Sequence, residues 1–427
     1  MTSLWSAHLA DRHPTAPLDG DTSADVVIVG AGLTGLWTAY YLLDADAALD
    51  VLLVDAGVVG GGASTQGVGA CSADLAISAE RVALAFGRDA ALDLRGALRD
   101  AVVEVGGALA LEEVDCGFTF GGALRLARNA AQVERLGELV ATAPTWGDEW
   151  HLLDPAGVGT HVSVPGVRAG AWTPDCAVLD PARLVRGLLD VLLARGVRLA
   201  EHTTALRVSP RAVLTDRGTV RAPIVLTTVE AGGPGVASGR TLAAVPAHGL
   251  ATARLDAHVW AEIGLEPGVV VSEAAHLPVH ARRTADDRLV VTGAGRPQEL
   301  DRALAALFPA ADATGALRWS GQIGVPRDGL PSVELDADTG LGGAGGFGAA
   351  GITAANLAGR TLADLACGVE SPLVHLPWVG HRSPDWPPLG GAAVSLALRA
   401  AARADAAESA GQSSRAATAV LDRVQIG

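Results

Sequence analysis

The most constraining stretch of the chain is a short apolar segment that runs directly into three closely spaced glycines, at residues 25–35. Its sequence, DVVIVGAGLTG, contains the spacing G-x-G-x-x-G. A helical pattern follows over residues 36–46, and a second apolar strand at residues 51–54 ends on Asp55. A strand, a glycine turn, a helix, a strand and an acid in this order predict the nucleotide-binding half of a doubly wound domain.

Each residue type in this stretch has a physical role in dinucleotide binding. Gly30 permits the tight turn, Gly32 lets backbone N–H groups approach a pyrophosphate, and Gly35 lets the helix pack closely on the strand. The helix N-terminus favours phosphate. Asp55, twenty residues after Gly35, is placed to accept hydrogen bonds from a ribose diol. The alternative is a glycine-rich turn without a ligand, which a Gly- and Ala-rich chain also produces.

Length and charge limit the classes of protein to which the chain can belong. A chain of 427 residues exceeds one ordinary core, which predicts two domains. The net charge of −15 argues against nucleic acid and anionic membranes as partners. All 32 basic residues are arginines. Lysine chemistry, including a lysine beside a flavin that activates oxygen, is therefore excluded.

The cysteines and the N-terminal region predict a cytoplasmic protein. Cys71, Cys116, Cys176 and Cys367 are far apart and form no C-x-x-C pair, which favours reduced thiols over a disulfide framework or a zinc site. The first twenty residues carry charges and prolines, unlike a signal peptide. No apolar run is a convincing membrane span.

The remaining pattern predicts two kinds of domain. Helix and strand alternate over residues 169–228, as in a doubly wound domain, whereas strands dominate residues 243–319. A second strand–glycine–helix arrangement occupies residues 340–367. Predicted helices cover 79–111, 129–141, 180–195, 299–307 and 352–367, and predicted strands cover 118–126, 170–173, 197–201, 224–228, 247–254, 269–271, 276–282 and 289–292.

Separate stretches of the chain resemble one known family. They are DVVIVGAGLTGLWTAYYLL from Asp25, GGGASTQGVGACSAD at 60–74, WSGQIGVPRDGLPSV at 319–333 and GGAGGFGAAGITAANLAGRTLADL from Gly342 onward. Together they resemble FAD-dependent amine and amino-acid oxidoreductases of the D-amino-acid oxidase and glycine oxidase type. Within that family they are most similar to the gamma-glutamylputrescine oxidase-like branch, whose tail also resembles residues 376–383.

The resemblance implies an α/β protein with two domains. A glutathione-reductase-like, Rossmann-type FAD-binding domain would be built from residues 23–80, 169–240 and 321–370. A mostly antiparallel α+β substrate domain would be built from residues 81–168 and 241–320, and residues 371–427 would form a C-terminal tail.

The resemblance also implies which residues contact FAD. The pyrophosphate would lie on the first glycine turn and helix start, the adenosine ribose on the acid, and the flavin and ribityl chain near the later loops. Adenine would be flanked by Val208 and Thr228. The full set is Gly30, Gly32, Leu33, Thr34, Gly35, Asp55, Ala56, Ala63, Ser64, Thr65, Val208, Thr228, Gly346, Phe347, Gly348, Gly351, Ile352 and Thr353.

Departures from the family pattern identify the candidate catalytic residues. Gln66 and Gly67 replace an Arg-Asn pair that many relatives carry beside the flavin, and Phe347 stands in a loop that often holds an aromatic residue and an acid. Tyrosines frequent in the substrate-domain strands are absent, and His248 and His280 occupy comparable stretches. We therefore predict catalytic roles for Gln66, His248 and His280.

His276 and His280 form H-x-x-x-H, which raises the possibility of a metal site. Pro278 lies between them and the context is a strand, so a helical zinc geometry is excluded and no metal is expected. On a strand the two histidines would share one face. Arg282 and Arg283 could pair with a substrate carboxylate, but solvation at the surface is favoured.

The expected reaction is oxidation of a C–N bond. In this family a neutral small amine or amino acid transfers hydride from its α carbon to flavin N5, and the imine product is hydrolysed. The electron acceptor is left open between oxygen and another carrier. The alternatives are a specialised biosynthetic flavoenzyme for an unusual nitrogen compound, a flavin-binding protein with a decayed pocket, and an NAD-dependent dehydrogenase.

Overall fold

The computed structural model describes residues 3–230, 241–387 and 390–424. The strands are, in chain order, β1 (Thr22–Ser23), β2 (Val26–Val29), β3 (Val51–Val54), β4 (Ala70–Ser72), β5 (Thr119–Phe120), β6 (Ala123–Ala127), β7 (His151–Leu153), β8 (Ala169–Thr173), β9 (Cys176–Val178), β10 (Arg198–Ala200), β11 (Ala205–Ser209), β12 (Ala212–Thr215), β13 (Gly218–Arg221), β14 (Ile224–Thr227), β15 (Leu242–Ala251), β16 (Val270–Glu273), β17 (Val279–Arg283), β18 (Leu289–Ala294), β19 (Leu317–Pro326), β20 (Ser332–Asp336) and β21 (Leu341–Gly345).

The helices are α1 (Leu33–Ala45), α2 (Ala79–Phe86), α3 (Arg88–Leu111), α4 (Ala130–Thr142), α5 (Pro155–Gly159), α6 (Pro181–Ala194), α7 (Ala257–Ile263), α8 (Pro297–Leu307), α9 (Gly351–Cys367), α10 (Gly390–Ser409) and α11 (Arg415–Val424). Short 3₁₀ segments lie at Leu4–Leu9, Ala63–Thr65, Ala143–Trp146, Gly348–Ala350 and Pro372–His375. None of the described helices is long and apolar enough to pass through a bilayer.

The predicted nucleotide-binding unit forms the centre of a doubly wound sheet. Six described strands pair in the order β10-β3-β2-β14-β21-β20, all parallel except the edge strand β20. Every residue of β2 and β3 is buried, as expected for strands covered on both faces. Because β2, β3, β14 and β21 are parallel, the turns that follow them meet at one edge of the sheet.

Helices α1 and α9 pack side by side against this sheet. Their close approach depends on Gly359, where a Cβ atom would lie 2.7 Å from the Cβ of Trp37. The opposite side is covered by a small sheet with the order β1-β13-β12-β11, through a cluster that includes Val27, Val54 and Val213. The Rossmann-type domain predicted from the sequence is confirmed.

A second, larger sheet forms the other domain. Eight described strands pair in the order β19-β15-β18-β17-β16-β6-β8-β7, antiparallel except for β16 and β6. One face packs on α7 and α8 around Trp260 and Phe308. A linking sheet, β4-β9-β5, connects the two domains.

The structure corrects several predicted domain limits. Strand β8 pairs with β6 and β7 in the large sheet, so residues 169–173 do not belong to the cofactor domain as predicted. Strand β19 continues in the large sheet to Pro326, beyond the predicted limit at residue 320. Residues 231–240 of the predicted second cofactor segment lie outside the described residues.

The predicted C-terminal tail folds back on the substrate domain through α10. Glu408 accepts two hydrogen bonds from Arg135 of α4, and Asp405 accepts two from the backbone N–H groups of His276 and Leu277. Hydrogen bonds to a charged group are stronger than those between neutral groups, so these contacts fix the position of α10 on the substrate domain.

Glycines divide two elements that the sequence pattern joins. The predicted helix at 79–111 is split into α2 and α3 at Gly87, whose φ of +94° is incompatible with a continuous helix. The predicted strand at 118–126 is split at Gly121 and Gly122, where a Cβ on Gly121 would lie 2.4 Å from the Gly268 backbone. Helix α6 begins after Asp180, whose side chain caps it as predicted.

Candidate cofactor and substrate site

The glycine turn after β2 has a shape that larger residues cannot adopt. Gly30 has a φ of +105°, and a Cβ on Gly35 would lie 2.0 Å from the Gly30 carbonyl oxygen. That oxygen is also held by the Thr228 hydroxyl, which donates to it at 2.8 Å. The turn therefore brings α1 directly against β2, as the spacing predicted.

Asp55 lies half-buried at the end of β3, with its carboxylate oriented by the backbone. Oδ2 accepts a hydrogen bond from the Ala31 N–H and Oδ1 accepts one from the Gly57 N–H, both at 2.8 Å. Each oxygen keeps a lone pair for a further donor. A carboxylate fixed beside the glycine turn is suited to a ribose diol, and Ala56 beside it is exposed.

The loop after β3 closes over the start of α1. Ser64 lies in the 3₁₀ turn Ala63–Thr65, and its hydroxyl accepts a hydrogen bond from the Leu33 N–H at 3.0 Å. The Thr65 hydroxyl donates to the Gly60 carbonyl at 2.6 Å and fixes this turn. Thr34, in the first turn of α1, is 8% exposed. The predicted FAD contacts in the glycine turn and the start of α1 therefore lie next to those in the 3₁₀ turn Ala63–Thr65.

Val208 and Thr228 belong to different sheets: Val208 lies on β11 of the small sheet, and Thr228 directly follows β14 of the cofactor sheet. Val208, on β11, packs against the small cluster that contains Val29 and Val54. The Thr228 hydroxyl is used internally, since it faces both the Val29 and Gly30 carbonyls and the residue is 7% exposed. Thr228 therefore locks the glycine turn through its side chain.

The second glycine stretch leads into α9 at this edge. Gly346 and Gly348 have φ values of +87° and +57°, and Phe347 between them is 3% exposed. Helix α9 begins at Gly351, followed by the buried residues Ile352 and Thr353. The Thr353 hydroxyl lies 3.3 Å from the Cys71 Sγ on β4, which joins this helix start to the strand after the Gln66 loop.

Glu230 is a site residue that sequence reasoning missed. It follows β14 by three residues, and its Oε2 accepts a hydrogen bond from the Gly324 N–H at 3.1 Å. Its carboxylate also accepts from the Gly346 and Phe347 N–H groups, while burial raises the pKa of Glu230 to about 7. The sequence could have indicated this residue, because it follows the carboxyl end of a predicted parallel strand, where ligands bind in such sheets.

One face of the large sheet is turned toward the cofactor domain. Directly paired residues of neighbouring strands share a face. One such row is Arg125, Ser272, His280, Thr292, Gly249 and Trp319. The Arg125 Nη2 donates to Asp74, just after β4, at 2.6 Å, and the Trp319 Nε1 donates to the Gln66 carbonyl at 2.9 Å. These contacts place His280 on the side that faces the cofactor domain.

His280 is held in its neutral form. Burial, reinforced by the positive charge of Arg125 and opposed by Asp74, lowers the pKa of His280 to about 4. A neutral imidazole both donates and accepts hydrogen bonds at pH 7. The catalytic role of His280 stays a prediction, and the strand register puts the residue on the sheet face that is turned toward the cofactor domain.

His248 lies on the opposite face of the same sheet from His280. It pairs with Gly293, which pairs with Val279, and Val279 packs in the outer core beside α8. Its Nδ1 lies 2.7 Å from the Ser320 hydroxyl, and its Nε2 lies 3.1 Å from the Gly295 carbonyl. His248 and His280, which were both predicted as catalytic residues, therefore lie on opposite faces of the sheet.

Gln66, whose catalytic role stays a prediction, lies against Gly321 of the large sheet. Its Oε1 lies 1.3 Å from the point that a Cβ on Gly321 would occupy, so the glycine leaves room for the amide. Arg282, on the same sheet face, is 5% exposed and donates to the Val68 and Leu179 carbonyls. The expectation of surface solvation was wrong for Arg282, whereas Arg283 on the other face pairs with Asp287.

The predicted shared face of His276 and His280 does not exist, because β17 begins only at Val279. His276 Nε2 lies 3.0 Å from Glu408 Oε1. His276, Asp405 and Glu408 together lie close enough to hold one metal ion. Their carboxylates are already engaged by Arg135 and by backbone N–H groups, which accounts for the cluster.

These residues fit FAD. The glycine turn has space only for backbone, two helix N-termini face the same sheet edge, and an oriented carboxylate lies beside the first of them. Gln66 lies against Gly321 and Glu230 accepts a hydrogen bond from Gly324, both on β19 of the large sheet, and His280 shares a face of that sheet with Trp319.

Comparisons with known proteins agree with this geometry. Residues 25–365 match the family model described as DAO, FAD dependent oxidoreductase. The chain is 26% identical to gamma-glutamylputrescine oxidoreductase of Escherichia coli (strain K12), over 90% of this chain and 94% of that protein. It shares its fold with glycine oxidase from Geobacillus kaustophilus (TM-score 0.69, 19% identity, 84% and 99% covered) and L-proline dehydrogenase from P. horikoshii (TM-score 0.66, 17% identity, 84% and 98% covered). The chain belongs to the DAO family of FAD-dependent oxidoreductases.

Proposed function

We propose that the protein oxidises a C–N bond of a small amine or amino acid. The observation that carries the proposal is a neutral histidine, His280, on the sheet face that looks toward the FAD-binding edge. The names of the similar proteins, a gamma-glutamylputrescine oxidoreductase, a glycine oxidase and a proline dehydrogenase, support a nitrogen compound as substrate. When bound, FAD supplies the acceptor for a hydride from the α carbon.

The chain's own residues would hold the amine in its reactive, neutral form. With a pKa of about 4, His280 carries no charge at pH 7, so its ring can accept a hydrogen bond from the amine N–H without adding positive charge beside it. The charge of Arg125 is balanced by Asp74 at 2.6 Å. The Gln66 amide, lying over Gly321, would orient the substrate from the other side.

The cofactor residues have distinct proposed roles. The turn containing Gly30, Gly32 and Gly35 would hold the pyrophosphate at the start of α1, and Asp55 would hold the ribose. The start of α9 at Gly351 would place the positive end of a helix dipole near negative charge on the reduced flavin.

The identity of the electron acceptor follows from a measurement on the reduced protein. The chain contains no lysine, so any reaction with oxygen would proceed without a lysine ammonium group. Oxygen and another carrier are both accommodated by the proposal. Rapid recolouring of the reduced protein in air would identify an oxidase, and slow recolouring would identify a dehydrogenase.

The test is anaerobic reduction of the FAD-loaded protein by a panel of amines and amino acids, followed by its flavin absorbance. At least one amine should bleach the flavin, and hydroxy acids of the same size should not. Bleaching by hydroxy acids but not by amines would contradict the proposed C–N specificity.

A pair of histidine variants tests the assignment of the site face. His280→Gln should slow flavin reduction at pH 7 by about tenfold, the scale of one lost hydrogen bond to the substrate. His248→Gln, on the opposite face, should reduce the flavin at the wild-type rate. Equal effects of the two substitutions would contradict the assignment.

A further inference from the structure

Four successive carbonyl groups in the loop after Ser64 are each held by a donor from outside the loop. The Gln66 oxygen accepts from the Trp319 Nε1 at 2.9 Å, and the Val68 oxygen accepts from the Arg282 Nε at 2.5 Å. The Gly69 oxygen accepts from the Leu179 N–H at 2.9 Å. The donor to the Gly67 oxygen is the Trp5 Nε1, also at 2.9 Å.

Trp5 is the donor in this set that neither domain supplies. It belongs to residues 3–12, here called the N-terminal arm, which precede the family match at residue 25. Trp5 is 3% exposed, and the Arg282 guanidinium lies 5.0 Å from the centre of its ring. Because an arginine over an indole ring is attracted to it, Trp5 supports Gly67 directly and Val68 through Arg282.

The N-terminal arm is anchored independently at its far end. The Arg12 guanidinium donates two hydrogen bonds to Glu201, at 2.8 and 2.6 Å, and Glu201 also accepts from the Val59 N–H at 2.7 Å. Leu9 fills the space over Gly60, where a Cβ would lie 2.3 Å from the Leu9 Cδ1. The arm therefore spans the loop between β3 and β4 from its start to its end.

We propose that the N-terminal arm is a working part of the cofactor site and that Trp5 is a positioning residue for Gln66, Gly67 and Val68. This inference rests on the proposed function, since it takes this loop to border the flavin. Loss of the indole donor leaves the Gly67 carbonyl without its partner and releases one side of Arg282. The loop then shifts beneath Gln66, and the surroundings of the flavin change.

The test compares Trp5→Phe with Trp260→Phe, in FAD-loaded protein and without substrate. The control is closely matched, because the Trp260 Nε1 also donates to a backbone carbonyl, that of Asp287, at 3.2 Å. Trp260 is 4% exposed, and the Arg283 guanidinium lies 4.5 Å from its ring centre. It lies on the sheet face away from the cofactor domain. A general loss of indole packing affects both variants alike.

The readouts are the visible absorption and circular dichroism of bound FAD, its midpoint potential, and the FAD dissociation constant. Trp5→Phe should alter the flavin spectrum and potential and raise the dissociation constant about tenfold, the scale of one lost hydrogen bond. Trp260→Phe should match wild type in all of these. A second variant, Leu9→Ala, loosens the arm without removing a loop donor and should change the spectrum in the same direction.

Each outcome separates the two proposals. Wild-type protein that takes up no FAD would overturn the proposed function, and the role of the arm with it. Wild-type protein that binds FAD, beside Trp5→Phe and Leu9→Ala variants that bind it with unchanged spectrum, potential and affinity, would overturn the role of the arm alone. If Trp5→Phe fails to fold, Leu9→Ala decides between the same two results.

Discussion

Gly35→Ala tests whether the glycine turn after β2 binds the cofactor. The added Cβ would lie 2.0 Å from the Gly30 carbonyl oxygen and 2.9 Å from the Thr228 hydroxyl, where ordinary contact begins at 3.4 Å. The turn cannot yield easily, because the Gly30 N–H donates to the Val54 carbonyl at 2.8 Å and Thr228 holds the Gly30 oxygen. Overpacking of this kind costs about 1–3 kcal/mol, and two fixed partners place this case at about 3 kcal/mol.

The same displacement should weaken FAD binding. Moving α1 away from β2 displaces the N–H groups that approach the pyrophosphate, and we expect a dissociation constant raised at least about 100-fold. The assay is FAD titration of the apoprotein by flavin fluorescence, together with denaturant unfolding. The control is Gly62→Ala in the next loop, where a Cβ would meet nothing within 4 Å. Gly35→Ala protein that binds FAD within twofold of the control would refute the reasoning.

Three further substitutions test how the site is supported. Arg12→Ala should lower the free energy of unfolding by about 3 kcal/mol in urea, because it leaves the Glu201 carboxylate buried without its cation. Arg186→Ala, whose partner Asp11 is exposed, should leave the free energy of unfolding within experimental error of wild type. Thr228→Val should cost about 1–3 kcal/mol and weaken FAD binding, because it removes the donor to the Gly30 carbonyl; unchanged FAD affinity would contradict this role. Burial raises the pKa of Glu230 from 4.5 to about 7, so the native state retains a proton that the unfolded chain releases, and the free energy of unfolding should fall as the pH rises from about 4.5 to 7. Between pH 5 and pH 8, Glu230→Gln should remove at most about 3 kcal/mol of this fall in the free energy of unfolding. An identical pH dependence in the two proteins would exclude Glu230 as its source.

The nucleotide-binding unit could be predicted from the sequence because every local signal agreed. The strand at Val51–Val54 has the predicted limits, and Asp180 caps α6 as expected. Helix α1 begins at Leu33, three residues before the predicted start, because Gly32 already serves as its N-cap. When residue propensity, turn residues and hydrophobic periodicity all favour the same structure, the secondary structure of a segment can be predicted without tertiary information.

Sheet membership and strand faces could not be predicted in the same way. The short strand β8 is apolar enough for either sheet, and only its pairing with β6 places it in the substrate domain. Whether His248 and His280 share a face depends on register, and a shift of one residue reverses the answer. Local pattern carries no such information.

The supporting residues of the site depend on contacts between distant parts of the chain. Trp5 meets a carbonyl 62 residues away, and Arg282 meets one 214 residues away. Glu230 accepts hydrogen bonds from loops at Gly324 and Gly346, which oppose the rise in its pKa that burial causes. The motif residues could be identified from the sequence because their spacing is typical of nucleotide binding. Trp5, Arg282 and Glu230 could not, because only tertiary packing brings them to the site.

The most direct test of the central claim is a single-turnover experiment on the FAD-loaded protein under anaerobic conditions. An amine that bleaches the flavin should yield one carbonyl product for each FAD reduced, and deuterium at the α carbon should slow the bleaching. That result would establish oxidation of a C–N bond by hydride transfer to the bound flavin. Bleaching without a carbonyl product, or at a rate indifferent to deuterium at the α carbon when the chemical step is rate-limiting, would contradict the account.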